Sequence, residues 1–277
     1  MTKKLTFQPE YITSRSNQTV VKYAKLSEKK FRDEYGVFLA EGEKLASEAA
    51  DYASAEAVLV SENALENASD ALIATVEKAA ANGAKAILLS NEAFAKISTE
   101  HSPQGVISVV RSSSVKTVPL MNDGRFEAGK AIVLDCVRDP GNLGTVIRTA
   151  AAFGYDRIIL HDCADITNPK TLRASMGAVF KVNFSIINDI TAAVRELRST
   201  GRRVLAAALA DESMTLGADT LLPDDIVVIG NEGHGISCEL IAECTAALKI
   251  PMKQTTESLN ASVAASVIMW EQSRDSI

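Results

Sequence analysis

DPGNLGTVIRTAAAFG (residues 139–154) is the stretch on which the fold of this chain turns. Just before it, AIVLDCV (131–137) is almost wholly apolar, as a strand buried on both faces must be. Proline then fixes the turn, and the adjacent glycine permits unusual backbone angles. The residues that follow are small and apolar, and they read as a helix. Two later segments, IGNEGHGIS (229–237) and IPMKQTTESLNASVAAS (250–266), also join an apolar run to a turn rich in Gly or Asn. The third again runs into a helix.

Working outward, further strands are expected at 157–160 (RIIL), 179–184 (VFKVNF), 203–209 (RVLAAAL), 225–230 (DIVVIG) and 246–250 (AALKI). Helical segments separate most of them. Near-continuous apolar strands alternating with helices imply an α/β fold with a parallel sheet covered on both faces. Ligands in such sheets collect at the carboxyl ends of the strands, where all three quoted segments begin. The last helix is expected from Glu257 to about Asp275, with Leu259, Val263, Val267 and Met269 or Trp270 inward.

The N-terminal half reads as a smaller α/β domain. NQTVVKYAKLSEKKFRDEYG (17–36) predicts one amphipathic helix, GVFLAEG a strand, and 44–52 a helix. Strands follow at 57–61, 86–90 and 105–111, with an Ala-rich helix at 68–81 that stops at Asn82-Gly83. Residues 112–130, rich in Ser, Gly and charge and containing Pro119, read as a linker with a turn. The expected division is 1–111, linker 112–130, and 131–277.

The chain has 277 residues, 47% of them hydrophobic, enough for two domains with real cores. No apolar run approaches the roughly 20 residues of a membrane-spanning helix. The basic N-terminus has no apolar stretch behind it, so no secretory signal is expected, and a cytoplasmic location follows. Cys136, Cys163, Cys238 and Cys244 form no CxxC pair, and His101, His161 and His234 are scattered, so no metal site is expected. The net charge of −6 weighs against nucleic acid. Residues 1–32, however, carry eight basic residues (Lys3, Lys4, Arg15, Lys22, Lys25, Lys29, Lys30, Arg32) against Glu10 and Glu28. That excess fits a solvated helix surface and a nucleic-acid face equally well.

Several polar residues stand where a fold alone would not need them. Asn142 by itself reads as a helix N-cap. Arg148 lies in an otherwise small and apolar helix, where it needs a partner such as a phosphate or carboxylate. Three glycines in six residues around Glu232 let the backbone approach a ligand. Glu232 either accepts a hydrogen bond or balances Arg148. Ser258 reads as a cap of the final helix, which leaves Asn260 as a poor interior residue. Leu259 and Ile250 supply apolar surface for a flat ring. His234 suggests a hydrolase, but RASMG (173–177) lacks the first glycine of a nucleophile elbow. A dehydrogenase would need a GxGxxG turn that DPGNLGTVIR does not provide.

In order and wording the three segments closely resemble the motifs of the SpoU (TrmH) family, knotted methyltransferases that methylate the ribose 2′-OH of RNA with S-adenosylmethionine. The resemblance covers roughly 130–275. It implies a trefoil-knotted α/β domain, a homodimer with the knots near the interface, and no metal in the reaction. It assigns active-site roles to Asn142, Arg148, Glu232, Ser258 and Asn260, with Arg148 at the 2′-OH. The cofactor falls to Gly230, Asn231, Ile250, Met252 and Leu259. RASMGA (173–178) is also similar to a family segment, which puts Arg173 near the RNA or the dimer contact. One departure is Gln254, where relatives often carry glycine. Residues 12–26, 38–49 and 101–110 resemble the L30e-like substrate-binding domain attached to many of these enzymes. That implies RNA contacts by Arg15, Asn17, Lys22 and Arg32, and favours ribosomal RNA over tRNA. It is also similar to the thiopeptide-resistance methyltransferases of the same family. A tRNA methyltransferase and a non-catalytic RNA-binding module remain as alternatives.

Overall fold

The structure, a computed structural model, describes residues 5–210, 213–253 and 258–275. Gln254, Glu257, Lys3 and Lys4 lie outside the described residues. In chain order the first elements are β1 (Glu10–Ile12), α1 (Gln18–Ala24), α2 (Lys29–Tyr35), β2 (Val37–Glu41), α3 (Glu43–Tyr52) and β3 (Ala55–Ser61). Next come α4 (Glu62–Glu66), α5 (Asp70–Ala81), β4 (Lys85–Leu89), α6 (Asn91–Ile97) and β5 (Val106–Arg111). β6 (Lys130–Asp135), α7 (Pro140–Ala152), β7 (Tyr155–His161), α8 (Pro169–Ser175), β8 (Asn183–Ile187) and α9 (Ile190–Ser199) follow. The chain ends with β9 (Val204–Ala207), β10 (Ser213–Thr215), β11 (Ile226–Ile229), α10 (Cys238–Glu243), β12 (Ala246–Lys249) and α11 (Ala261–Ser273). It divides into two units: Met1–Val115 with Thr167–Phe180, and Lys116–Ile166 with Lys181–Ile277.

The first unit holds a five-stranded sheet in the order β1-β4-β3-β5-β2, with β5 antiparallel to both neighbours. Alternate residues of β3 serve two cores, as a period of two requires. Ala57 and Leu59 pack with Leu26, Ile87 and Phe94; Val58 and Val60 pack with Leu72 and Val76. The stop at Asn82-Gly83 holds, with Gly83 at φ 94.

The single long helix expected over 17–36 is broken. α1 passes through a short 3-10 turn at Lys25–Ser27, and Glu28 is extended before α2 begins. The cause is Arg32, which is 3% exposed. Its Nη1 donates to the carbonyls of Leu26 (2.9 Å) and Ser27 (2.8 Å), and its Nε donates to Thr167 Oγ1 (3.3 Å). A continuous helix would have given those two carbonyls to the backbone instead. Arg32 is therefore a buried strut, and the expectation that it meets RNA phosphate is corrected.

The second unit holds a seven-stranded, all-parallel sheet in the order β10-β12-β9-β11-β6-β7-β8. All four residues of β11 and the central four of β6 are buried. One face, with Val133, Ile159, Val204 and Val228, packs on Val194 and Leu197 of α9 and Leu240 of α10. The alternate residues Ile132, Leu134, Ile158 and Val227 are equally buried; α7 packs on β7, α11 on β11, and the two helices on each other.

Three further expectations change. Residues 112–130 do not run free: from Lys116 on they pack with the second unit. Thr117 bridges Phe184, and buried Phe126 sits beneath the guanidinium groups of Arg157 (5.6 Å) and Arg202 (5.1 Å). VFKVNF begins as a 3-10 turn (Ala178–Phe180), because Phe180 stacks on Phe38 in the first unit and only Asn183 onward joins the sheet. The last helix starts at Ala261, and its apolar residues split between two faces. Ala265, Ile268 and Met269 are buried, whereas Val263, Val267 and Trp270 are exposed.

Arg32→Ala should lower stability by about 2–4 kcal/mol in urea unfolding, since it strips two carbonyls of their buried donor. A variant of unchanged stability that bound RNA less well would restore the phosphate reading.

Candidate active site

The site is built where β6, β11 and β12 end and two helices start. β6 is followed by Cys136 in the left-handed conformation (φ 57), which turns the chain out of the sheet. Asp139 caps α7, its carboxylate accepting from Asn142 N at 2.9 Å, and Pro140 occupies the first turn. This cap contributes about 1 kcal/mol. It also frees Asn142 from the capping role read from sequence.

The Asn142 side chain faces the ends of the other two strands. Its Nδ2 donates to Glu232 Oε1 (2.9 Å), and its Oδ1 accepts from Asn260 Nδ2 (3.1 Å), with Ser262 Oγ 3.3 Å from the same oxygen. Asn260 is itself the cap of α11, in place of Ser258. Its Oδ1 accepts from the backbone N–H of Ser262 (2.9 Å) and Val263 (3.4 Å), and from Ser262 Oγ (2.6 Å). Backbone N–H groups only donate, so the Asn260 oxygen must face them and its NH₂ must face Asn142. The Asn142 NH₂ is then left to face Glu232. One helix terminus thus orients two amides and one carboxylate in series.

Ser262 is 6% exposed and joins this network, although its sequence position drew no attention. The available signal was a serine two residues after a capping asparagine. Arg148 and Ser258 are not in the network. By helical geometry Arg148 stands roughly 120° around α7 from Asn142. It is exposed, and its guanidinium has no partner among the described residues. Ser258 is exposed and lines the cavity next to the network.

That cavity, of about 460 Å³, is bounded by Leu209, Leu248, Ile250, Leu259 and the turn after β11. All five residues expected to meet a cofactor, Gly230, Asn231, Ile250, Met252 and Leu259, line it. Asn231 spends its side chain on the protein. Its Nδ2 donates to the Cys136 carbonyl (2.9 Å), and its Oδ1 accepts from Gly233 N (2.8 Å) and His234 N (3.1 Å). Gly230 is required by close approach, since a Cβ there would lie 2.6 Å from the carbonyl of Gly235 and from Ile236 Cγ1. Apolar walls with a few backbone polar groups suit a flat, partly polar ligand.

In the first unit the residues expected on RNA have separate tasks. Asn17 caps α1 by accepting from Thr19 N (2.8 Å). Lys22 pairs with Glu56 at 3.0 Å, and Tyr23 OH donates to the same oxygen at 2.8 Å. Burial would raise the Glu56 carboxyl, but these two donors win and hold it below the usual range. Arg173 is tied to Glu100 (2.7 Å) and Thr99 Oγ1 (3.2 Å). Arg15 is exposed, with no side-chain partner among the described residues. Lys25 and Lys30 flank the ring of Phe31 at 5.0 and 5.7 Å.

Residues 129–270 match the SpoU rRNA Methylase family, and residues 17–108 match the MRM3-like substrate binding domain. The chain is similar to the 23S rRNA (guanosine(2553)-2′-O)-methyltransferase RlmP of Bacillus subtilis, with 31% identity over 264 residues, 94% of this chain and 97% of that one. Its structure is similar to that of the rRNA methyltransferase from Sinorhizobium meliloti, with a TM-score of 0.81 at 30% identity, covering 98% of this chain and 100% of the other. The same rRNA methyltransferase with AdoMet bound matches to the same degree. With its three strand-end motifs joined by hydrogen bonds beside one cavity and over half its length matching the family, the chain belongs to the SpoU rRNA methylase family.

Proposed function

We propose that this protein methylates a ribose 2′-OH of structured RNA, large-subunit rRNA above tRNA, with S-adenosylmethionine as donor. The observation that carries the reading is the meeting of Asn142, Glu232 and Asn260 beside the cavity. The Bacillus subtilis and Sinorhizobium meliloti relatives support it by what they methylate and bind.

The cavity fits the donor in its chemistry: Leu248, Ile250 and Leu259 offer apolar surface for an adenine ring, and the turn at Gly230 offers backbone polar groups. S-adenosylmethionine, when bound, supplies an electrophilic methyl group. The protein's part is to align the acceptor, which supplies much of the acceleration in such a transfer. Arg148 is free to take a substrate phosphate and to stabilise charge developing on the 2′ oxygen. A guanidinium stays protonated in proteins, which makes it a poor base. The proton then leaves through phosphate or water. Asn142 and Asn260 hold Glu232 in one orientation at the edge of this space. Methyl transfer of this kind calls for no metal.

The first unit serves as the RNA-binding domain. Its contact surface is placed at Arg15 and at the Lys25–Phe31–Lys30 cluster, where charge lies beside an aromatic face for a base. The second unit is read as the trefoil-knotted catalytic domain, dimeric through the exposed face of α7 and α11. Val263, Val267 and Trp270, which is 51% exposed, line that face, with the Trp270 ring 5.7 Å from Phe153. A helix apolar on two sides needs two coverings. No described helix is long and apolar enough to cross a membrane. The proposed site of action is the cytoplasm, where the relatives' ribosomal RNA substrates support it.

Labelled methyl transfer to purified rRNA, with bulk tRNA alongside, tests the activity; a 2′-O-methylnucleoside in rRNA is expected. In that assay Arg148→Ala should cost roughly 10²–10³-fold in rate with donor affinity little changed. Full activity in this variant would remove Arg148 from its role. Gly230→Val should weaken donor binding by calorimetry at least tenfold, because the new side chain has to push the Gly235 turn into the cavity. Val263→Asp should convert a dimer to monomer in sedimentation analysis, and a dimer that survives would place the interface elsewhere.

A further inference from the structure

On the far side of β6 from β11, a second cluster forms that the methyl-transfer chemistry does not use. β6 and β7 pair in register so that Asp135 stands opposite His161. The residue after each, Cys136 at φ 57 and Asp162 at φ 46, is a non-glycine in the left-handed conformation. That conformation is uncommon outside glycine, and here two neighbouring strands end in it. His161 Nδ1 lies 2.7 Å from Asp135 Oδ1. Cys136 Sγ lies 3.4 Å from that same oxygen and 3.9 Å from Asp162 Oδ2. The ligand atoms of Asp135, Cys136 and His161 all fall within 4.8 Å of one another. Residues 26 positions apart in sequence are therefore close in space, which the scatter of Cys and His along the chain does not suggest.

We propose that Asp135, Cys136 and His161 bind a zinc-class divalent metal ion, with Asp162 or a water as the fourth ligand. The donor set fits. One imidazole nitrogen, one sulfur and a carboxylate oxygen suit Zn²⁺ and disfavour Mg²⁺ or Ca²⁺, which prefer oxygen throughout. The spacing fits as well. Tetrahedral bonds of about 2.0–2.3 Å put ligand atoms roughly 3.3–3.8 Å apart, so the Asp135–His161 contact has to open by about 1 Å or less. Asp135 and His161 retain 14% and 22% side-chain exposure, which leaves an ion a way in. Asp162 is bound to Arg138 and exchanges that partner for the metal. On binding, the Cys136 thiol loses its proton to solvent as its sulfur joins the metal.

The site has a structural consequence for the neighbouring turn. The Cys136 carbonyl is the acceptor for the Asn231 side chain at 2.9 Å, and Asn231 organises the turn lining the cavity. A metal on Cys136 would hold that joint without touching substrate.

The test uses the full chain, stripped with chelator and titrated with Co²⁺ as a spectroscopic stand-in and then with Zn²⁺. One equivalent of Co²⁺ per chain is expected, with a thiolate-to-cobalt charge-transfer band that Zn²⁺ abolishes. Cys136→Ser should remove the band, and Cys136→Ser and His161→Gln should each weaken binding by roughly tenfold or more. Circular dichroism of both metal-free variants separates a lost ligand from a lost fold. No stoichiometric uptake by the unmodified protein overturns the proposal. So does a band that survives Cys136→Ser or that disappears instead with the exposed Cys238.

Discussion

Hydrogen-bond polarity at the start of α11 is the constraint on which the rest of the site depends. The first N–H groups of a helix can only donate, and they must find an acceptor. Asn260 supplies it, and in doing so fixes which end of its amide faces outward. Asn142 is oriented by Asn260, and Glu232 by Asn142. Each of these bonds is worth only about 1 kcal/mol. Their effect is directional: three residues from three segments are held in one arrangement with no choice of amide flip. The arrangement needs α7 and α11 to start at the same end of the sheet, with β11 ending between them. The parallel sheet supplies that, because all its strands end on one side.

The same sheet explains the division of labour among the apolar helices. α9 and α10 cover one face and α7 and α11 the other. α11 carries more apolar surface than the sheet can bury, and the excess lies on the side away from Ala265 and Ile268. In a chain with net charge −6, uncommitted positive charge is equally local. Several cations of the first unit are already engaged within the protein: Lys22 by Glu56, Lys29 by Asp33, Arg173 by Glu100, and Arg32 by buried carbonyls. Arg15 and the lysines around Phe31 have no ion-pair partner among the described residues.

The α/β class, the parallel sheet and most of the polar residues that meet at its strand ends were legible in the order of residues. Asn142, Glu232 and Asn260 stood out because each is polar in a place where the local pattern wanted something else. Gly230 stood out because a turn so rich in glycine implies close packing. These are short-range signals, carried by neighbours within a few positions, and they survive in a linear reading. The helix boundaries were less legible. Asn260 read as an interior residue because the strength of its cap depends on the chain actually turning there.

The remainder was decided at long range. Nothing near Arg32 in sequence says that its guanidinium will take two carbonyls of its own segment and break a helix around them. Asn142 could not be known to prefer Glu232 and Asn260 over a cap until Asp139 took the cap and 90 to 118 residues of chain brought the partners back. His161 became a neighbour of Asp135 and Cys136 only through the register of β6 on β7. The sequence alone thus determined which residues are chemically unusual and which elements carry them. Only the tertiary structure decided their partners, because a side chain's hydrogen bonds are settled by whichever donors and acceptors the completed fold leaves unsatisfied beside it.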